Sequence, residues 1–404
     1  MFRFFFIFLS IIENLSKIGK KMRIIYILKS FAQLAGVERV MSDKINYLAD
    51  HHNHITLITY EQGDHPLAFS LNPSVKHIDL KTRFFTLSKF PLLIRFFYYL
   101  KLKKTFRSRL REIIKQEHPD YIVTTTYSLK VAKDILKIKK DAKTIIESHI
   151  SFHSILRKND FKKGSITHFI ASIYDRANLN TIRKFDMLVS LTQQDSIQWQ
   201  KFVKNVSIIP NPVTKYPESI STKKNVKHRI IAVGRLNHQK GFSRLIQAFS
   251  LISEKYPSWR IDIFGKGELY DELNKLIRQK GLYEKVSINQ PTTEIYHEYL
   301  NSDFYVLSSE YEGFCLVMLE AMACGLPCVS FDCPYGPKEL IVSGKNGLLV
   351  ENGNVSELAQ KIEWMITHDS ERNRMSNEAR KTINKYKLDT IMTQWEELFQ
   401  NLRK

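Results

Sequence analysis

Residues 308–328, SSEYEGFCLVMLEAMACGLPC, decide how this chain folds. The run DFYVLSS, Asp303 to Ser309, has the continuous apolar pattern of a buried strand, Glu310 to Gly313 turn the chain, and LVMLEAMA, Leu316 to Ala323, winds as a helix. Glu312 therefore falls in the turn and Glu320 within the helix. A helix start preceded by Gly313 leaves backbone N–H groups free at a positive dipole end, where a diphosphate is well held. Carboxylates beside it can accept hydrogen bonds from sugar hydroxyls. A glutamate pair at this spacing also occurs by chance, as a helix-capping pair for example, so its flanks carry the weight.

Working outward, the same alternation repeats. RIIYIL (23–28), HITLITY (54–60), YIVTTT (121–126), KTIIES (143–148), MLVSLT (187–192) and VSIIP (206–210) read as strands separated by helical stretches. So do RIIAVG (229–234), RIDIFG (260–265), KVSIN (285–289), DFYVLS (303–308) and LPCVSF (326–331). Two such series predict an α/β protein with two doubly wound parallel sheets, each wrapped by helices. Between them Pro210 to His228 is rich in Pro, Ser and Lys and has no periodicity, which reads as a linker. Ligands of such sheets bind outside the carboxyl ends of the strands, so two facing domains leave a cleft. The expected organisation is a domain over 22–210, a linker over 211–228 and a second domain over 229–385.

A chain of 404 residues with 43% hydrophobic residues accommodates two domains of ordinary size. Residues 1–220 carry 36 Lys and Arg against 18 Asp and Glu, whereas residues 221–404 carry 25 against 23, so a basic partner belongs to the first half. Cys315, Cys324, Cys328 and Cys333 lie at spacings that fit neither a zinc element nor a disulfide framework, so buried reduced thiols and a cytoplasmic setting are expected. Residues 1–21 hold an apolar run, Phe4 to Ile12, too short to span a bilayer. They read either as an extension outside the fold or as a shallow anchor.

Residues 81–111 contain ten Lys or Arg and no acid, interleaved with aromatics such as Phe84, Phe96 and Phe97. This is the pattern of a helix at an anionic membrane surface. An ordinary amphipathic helix with its aromatics in the core shares it. Nucleic-acid binding is not expected, since no recognisable binding motif accompanies the charge.

Gly234 ends a strand and is followed by Arg235, Gln239, Lys240 and Gly241 before a helix. Two cations on a loop at a sheet's carboxyl edge suit a diphosphate, the guanidinium bidentately and the ammonium as a point charge. A solvated basic loop reads the same way. In AQLAGVERV, Ala32 to Val40, Gly36 permits close backbone approach to a phosphate or sugar. ESHISFH, Glu147 to His153, places His149 after another strand.

From Met22 onward the chain resembles the retaining glycosyltransferases of the two-domain GT-B fold, the glycosyltransferase family 4 or group 1 type. GRLNHQKGFSRLIQAF (234–249), the E-x7-E element of Glu312 and Glu320, EAMACGLP (320–327), GPKELI (336–341) and NGLLV (346–350) follow in that family's order. The resemblance implies that Arg235 and Lys240 neutralise the leaving diphosphate in place of a metal ion, in keeping with the absence of any Asp-x-Asp sequence. It implies that Glu312 meets hydroxyls of the sugar donor, Glu320 the ribose, and the backbone of Gly313, Phe314, Cys315 and Leu316 the phosphates. Gly265, Gln290 and Pro291 would dock the base, and His149 would face the transferred sugar. The family has two adjacent glycines where this chain has Ala35 and Gly36. A C-terminal helix over 386–404 would return to the first domain. The implied reaction moves a hexose or N-acetylhexosamine from a UDP-sugar to a lipid-linked bacterial glycan such as lipopolysaccharide or capsule, with no cofactor, at the inner face of the cell membrane. An epimerase on the same fold, or a basic membrane- or nucleic-acid-binding protein with an idle site, is the alternative.

Overall fold

The computed structural model describes residues 21–33, 35–213, 215–217 and 227–403. The N-terminal extension expected over 1–21 lies almost wholly outside them, as do 214 and 218–226 of the expected linker. Two parallel sheets organise the rest. The first contains β1 (Arg23–Leu28), β2 (His54–Thr59), β3 (Lys76–Asp79), β4 (Tyr121–Thr125), β5 (Lys143–Ser148), β6 (Met187–Ser190) and β7 (Val206–Ile208), in the order β3-β2-β1-β4-β5-β6-β7. The second contains β8 (Arg229–Val233), β9 (Arg260–Phe264), β10 (Val286–Asn289), β11 (Phe304–Leu307), β12 (Cys328–Phe331) and β13 (Gly347–Val350), in the order β10-β9-β8-β11-β12-β13. Every strand read from the sequence is present, most of them trimmed by a residue or two. β3 and β13 are additional: KHID is short and polar, with no residue fully buried, so no apolar run announced it, and GLLV was read only as part of the NGLLV motif and not as a strand. By compactness the chain divides within β5, one unit ending at Ile145 and the other beginning at Ile146.

Parallel strands covered on both faces must be apolar along their length, which is why β1, β4 and β11 carry buried residues at consecutive positions. In the first unit Ile25, Ile27 and Ile58 pack against Phe106 and Leu110 of the Leu92–Glu117 helix. In the second, Ile230, Ile261 and Val306 pack against Leu245 and Phe249 of the Phe242–Ser250 helix. Both sheets change direction beside their first strand, at β1/β4 and at β8/β11. These are the topological switch points where open α/β sheets bind ligands.

The basic aromatic stretch at 81–111 divides between core and surface. Phe84 is buried, whereas Phe85, Phe96 and Phe97 are exposed. Lys103 turns inward and the exposed Arg107 reaches along the surface, and both pair with the buried Asp134. Among the described residues no helix is long and apolar enough to cross a membrane.

On the Gly36–Asp50 helix, the Asp43 Oδ2 atom is buried without a hydrogen-bond partner among the described residues. Burial raises the Asp43 pKa to about 6, against a smaller opposing pull from Arg39. The folded protein thus holds this proton more tightly than the unfolded chain does, so Asp43 favours folding at acid pH, and that contribution is lost as pH rises through the window from about 4 to about 6. Asp43→Asn is expected to stabilise the protein by about 2 kcal/mol at neutral pH, with no gain near pH 4. Urea unfolding at the two pH values checks this, and equal effects at both would contradict it.

Candidate active site

The switch point of the second sheet gathers the loops that follow β8 and β11. Asn237 caps the single helical turn His238–Lys240, its Oδ1 accepting from Lys240 N–H at 3.2 Å. Gly241, at φ 61°, then turns the chain into the Phe242–Ser250 helix. The β11 loop is fastened to this turn at several points. Ser308 Oγ donates to the Lys240 carbonyl at 2.9 Å, Glu310 N–H to the Gln239 carbonyl at 2.8 Å, and Gln239 Nε2 to the Tyr311 carbonyl at 2.9 Å. Arg244 forms an ion pair with Glu310.

That fastening delivers Lys240 to Glu312. Lys240 Nζ lies 2.7 Å from Glu312 Oε1, and Ser309 Oγ donates to the same oxygen at 2.6 Å. The carboxylate is buried, and Glu312 N–H donates to the Pro334 carbonyl at 3.0 Å, so backbone and side chain are both fixed. The lysine stem reaches this position by passing over Gly234, where a Cβ would sit 3.1 Å from Lys240 Cδ and Cε. Arg235, beside it, is exposed, and its side chain makes no hydrogen bond or ion pair among the described residues. One cation is therefore restrained by a carboxylate, and the other is free to meet an anion.

Glycines keep the neighbouring loops close. Gly265 N–H donates to the Asn289 carbonyl at 2.9 Å, and a Cβ on Gly265 would fall 1.9 Å from the Gly234 carbonyl oxygen. Gln290 and Pro291, next along, are exposed. The Leu316–Ala323 helix begins where the sequence indicated, with Cys315 at its N-cap and no side-chain cap; Leu316 N–H donates to the Phe314 carbonyl at 2.8 Å, and the amides of the first turn that follow it have no side-chain acceptor. Glu320 is buried in this helix. All four cysteines are free and buried, and burial pushes the Cys315 thiol well above its usual range.

His149 approaches the same region through its backbone, since a Cβ on Gly313 would lie 2.9 Å from the His149 carbonyl oxygen. Its ring is enclosed: Nε2 lies 3.2 Å from Glu147 Oε2 in a geometry that makes no hydrogen bond, and neither ring nitrogen has a hydrogen-bond partner among the described residues. The segment that follows is pinned by Asp195, which accepts from Phe152 N–H at 2.6 Å, Trp199 Nε1 at 2.9 Å and Ser190 Oγ at 3.2 Å. Burial nonetheless holds the Asp195 carboxyl above the usual range. Gly36 belongs to the first unit, as the first residue of its helix after β1.

The structure thus brings Gly234, Lys240, Glu312 and Gly313 into one assembly, with Arg235 at its edge. Ser309, Asn237 and Asp195 are the partners that the sequence did not reveal. Ser309 sits three residues before Glu312, and an N-cap Asn before a short helical turn was a usable signal. Chemically, a free guanidinium, a restrained ammonium and the helix-start amides that follow Leu316 can hold and neutralise a diphosphate. The fixed carboxylate can accept hydroxyl hydrogen bonds. Among the described residues no group of His, Cys, Asp and Glu is placed to hold a metal ion.

Residues 217–382 match the family model described as glycosyl transferases group 1, and residues 34–215 match glycosyltransferase family 4. An uncharacterized glycosyltransferase of Haemophilus influenzae is 26% identical over 92% of this chain and 98% of its own length. The N-acetylgalactosamine-N,N'-diacetylbacillosaminyl-diphospho-undecaprenol 4-alpha-N-acetylgalactosaminyltransferase of Campylobacter jejuni is 30% identical over 55% of this chain and 60% of its own length. Among solved structures, Anabaena Alr3699/HepE in complex with UDP superposes with a TM-score of 0.70 at 19% identity, covering 94% of this chain and all of that one.

Proposed function

Because this chain is a glycosyltransferase of the GT-B fold, its two halves matching the two family models in turn, we propose that it moves a hexose or N-acetylhexosamine from a UDP-sugar to a lipid-linked glycan in bacterial surface polysaccharide synthesis, with retention of configuration and without a metal ion. The observation that carries this reading is the pairing of a free Arg235 with a Lys240 whose position is set by Glu312 and Ser309. In the proposed mechanism the diphosphate lies against the first amides of the Leu316–Ala323 helix. The two cations take up the charge that develops on its leaving oxygen. Such stabilisation acts most strongly when the groups are already in place before the reaction. Glu312 uses its second oxygen for a sugar hydroxyl, Glu320 serves the ribose, and Gly265, Gln290 and Pro291 border the base. Gly36 supplies close backbone approach in the first domain, and the His149 segment meets the sugar.

A relative named for a diphospho-undecaprenol substrate and an alpha linkage, and a fold relative solved with UDP, support the choice of acceptor, anomer and nucleotide. The exposed Phe96 and Phe97 on a helix with few acids support attachment at the inner membrane surface. The test is the anomeric configuration of the product, read by NMR from an alpha-linked UDP-sugar with EDTA present. An alpha product formed at full rate is expected. A beta product, or activity that requires a divalent ion, would reject the mechanism.

A further inference from the structure

The Ile166–Ile182 helix carries an apolar stripe that no part of the proposed site uses. Ile166, Phe169, Ile170 and Ile173 recur at helical spacing and are 79%, 66%, 60% and 57% exposed. The inward face of the helix is occupied. Ala171 and Ile182 are buried, Asp175 accepts from Arg157 and Lys158 N–H at 3.1 and 3.0 Å, and the Arg157 guanidinium stacks over Tyr174 at 4.6 Å. Ser165 caps the N-terminus, accepting from His168 N–H at 3.1 Å. The helix is thus held rigidly, with four large apolar side chains in water.

From this we infer that the stripe is a second membrane-docking surface, whose partner is an anionic lipid bilayer. The charges around it select that partner. Lys162 and Lys163 stand exposed just before the helix and Arg176 on it, while Asp160 is the one exposed acid between residues 157 and 184. Apolar side chains seated at the headgroup boundary with lysines beside them are what an interfacial helix requires. A second copy of the chain fits less well. A two-fold interface sets each patch against itself, so the basic flanks would oppose one another. Four side chains also fall short of the 20–30 residues that a partner in a stable interface contributes, about 800 Å² each. The inference rests on the lipid-linked acceptor of the proposed function, because attachment of this helix to the bilayer brings its own unit to the surface where that acceptor is anchored.

The experiment uses the full chain and vesicles of phosphatidylglycerol or phosphatidylcholine, with partition read by sedimentation. Phe169→Asp combined with Ile170→Asp is expected to weaken partition to phosphatidylglycerol vesicles about a hundredfold. Lys162→Glu combined with Lys163→Glu is expected to weaken it about thirtyfold and to leave the weak partition to phosphatidylcholine unchanged, whereas the Asp pair lowers that partition too. Nucleotide release with acceptor in detergent stays at the wild-type rate in both variants, which separates docking from chemistry. Unchanged partition in both variants would overturn the inference, and so would a wild-type dimer that either variant converts to monomer. Failure of the wild type to release nucleotide with any lipid-linked acceptor would reject the proposed function instead, with vesicle partition still reporting on the stripe.

Discussion

Lys240→Ala and Arg235→Ala are each expected to lower turnover about a hundredfold, a loss of about 3 kcal/mol of transition-state stabilisation, but to differ in what they do to the fold. Arg235 is exposed and its side chain is unpartnered among the described residues, so its removal leaves the melting temperature unchanged. Lys240 neutralises the buried Glu312 at 2.7 Å. Its removal leaves that carboxylate with the Ser309 hydroxyl in place of an ammonium, so stability falls as well, because breaking a buried pair exposes the desolvation penalty of the remaining charge. Replacing Glu312 together with Lys240 relieves that penalty and restores stability without restoring turnover. Steady-state nucleotide release and thermal melts on the same preparations read both quantities. Near-normal turnover in the two single variants would remove the cations from the mechanism.

Gly241→Ala is expected to destabilise the second sheet by about 3 kcal/mol. Two penalties combine at this position. Gly241 sits at φ 61°, a conformation costing a non-glycine residue on the order of 1 kcal/mol or more. An added Cβ would also lie 2.1 Å from the Ser308 carbonyl oxygen, a backbone atom that cannot rotate away. Relief requires the β8 and β11 loops to separate, which pulls Ser308 from the Lys240 carbonyl and Lys240 from Glu312. The loss should therefore appear in the melting temperature, as roughly 6–12 °C, and in turnover as well. Gly344→Ala serves as the control, since Gly344 also has positive φ, 81°, but nothing lies within 4 Å of its Cβ position. Equal losses at the two glycines would mean that backbone strain alone acts and that the loop contact is unimportant.

The strands of both sheets were legible because parallel strands buried on two faces leave unbroken apolar runs. β3 escaped because it lies at the edge of its sheet, where KHID need not be apolar. The Leu316–Ala323 helix could be placed to the residue, since Gly313 and the change in period mark its start. The pairing of Lys240 with Glu312 was not legible. The two residues are 72 positions apart, and they meet only because β8 and β11 are neighbours at the switch point, a consequence of strand order that local pattern does not encode. His149 shows a different limit. A motif identifies a residue without saying whether its ring or its backbone does the work, and here the carbonyl lies against Gly313 while the ring is enclosed beside Glu147.

The central claim is that two cations and a helix start activate a nucleotide diphosphate without a metal. Its most direct test is nucleotide release from a panel of UDP- and GDP-sugars in EDTA, with and without polyprenyl-diphosphate glycans from a membrane extract. Release from one UDP-sugar, stimulated by the extract and lost in Arg235→Ala, is the predicted result. No release from any sugar nucleotide, or release that Arg235→Ala leaves intact, would contradict it.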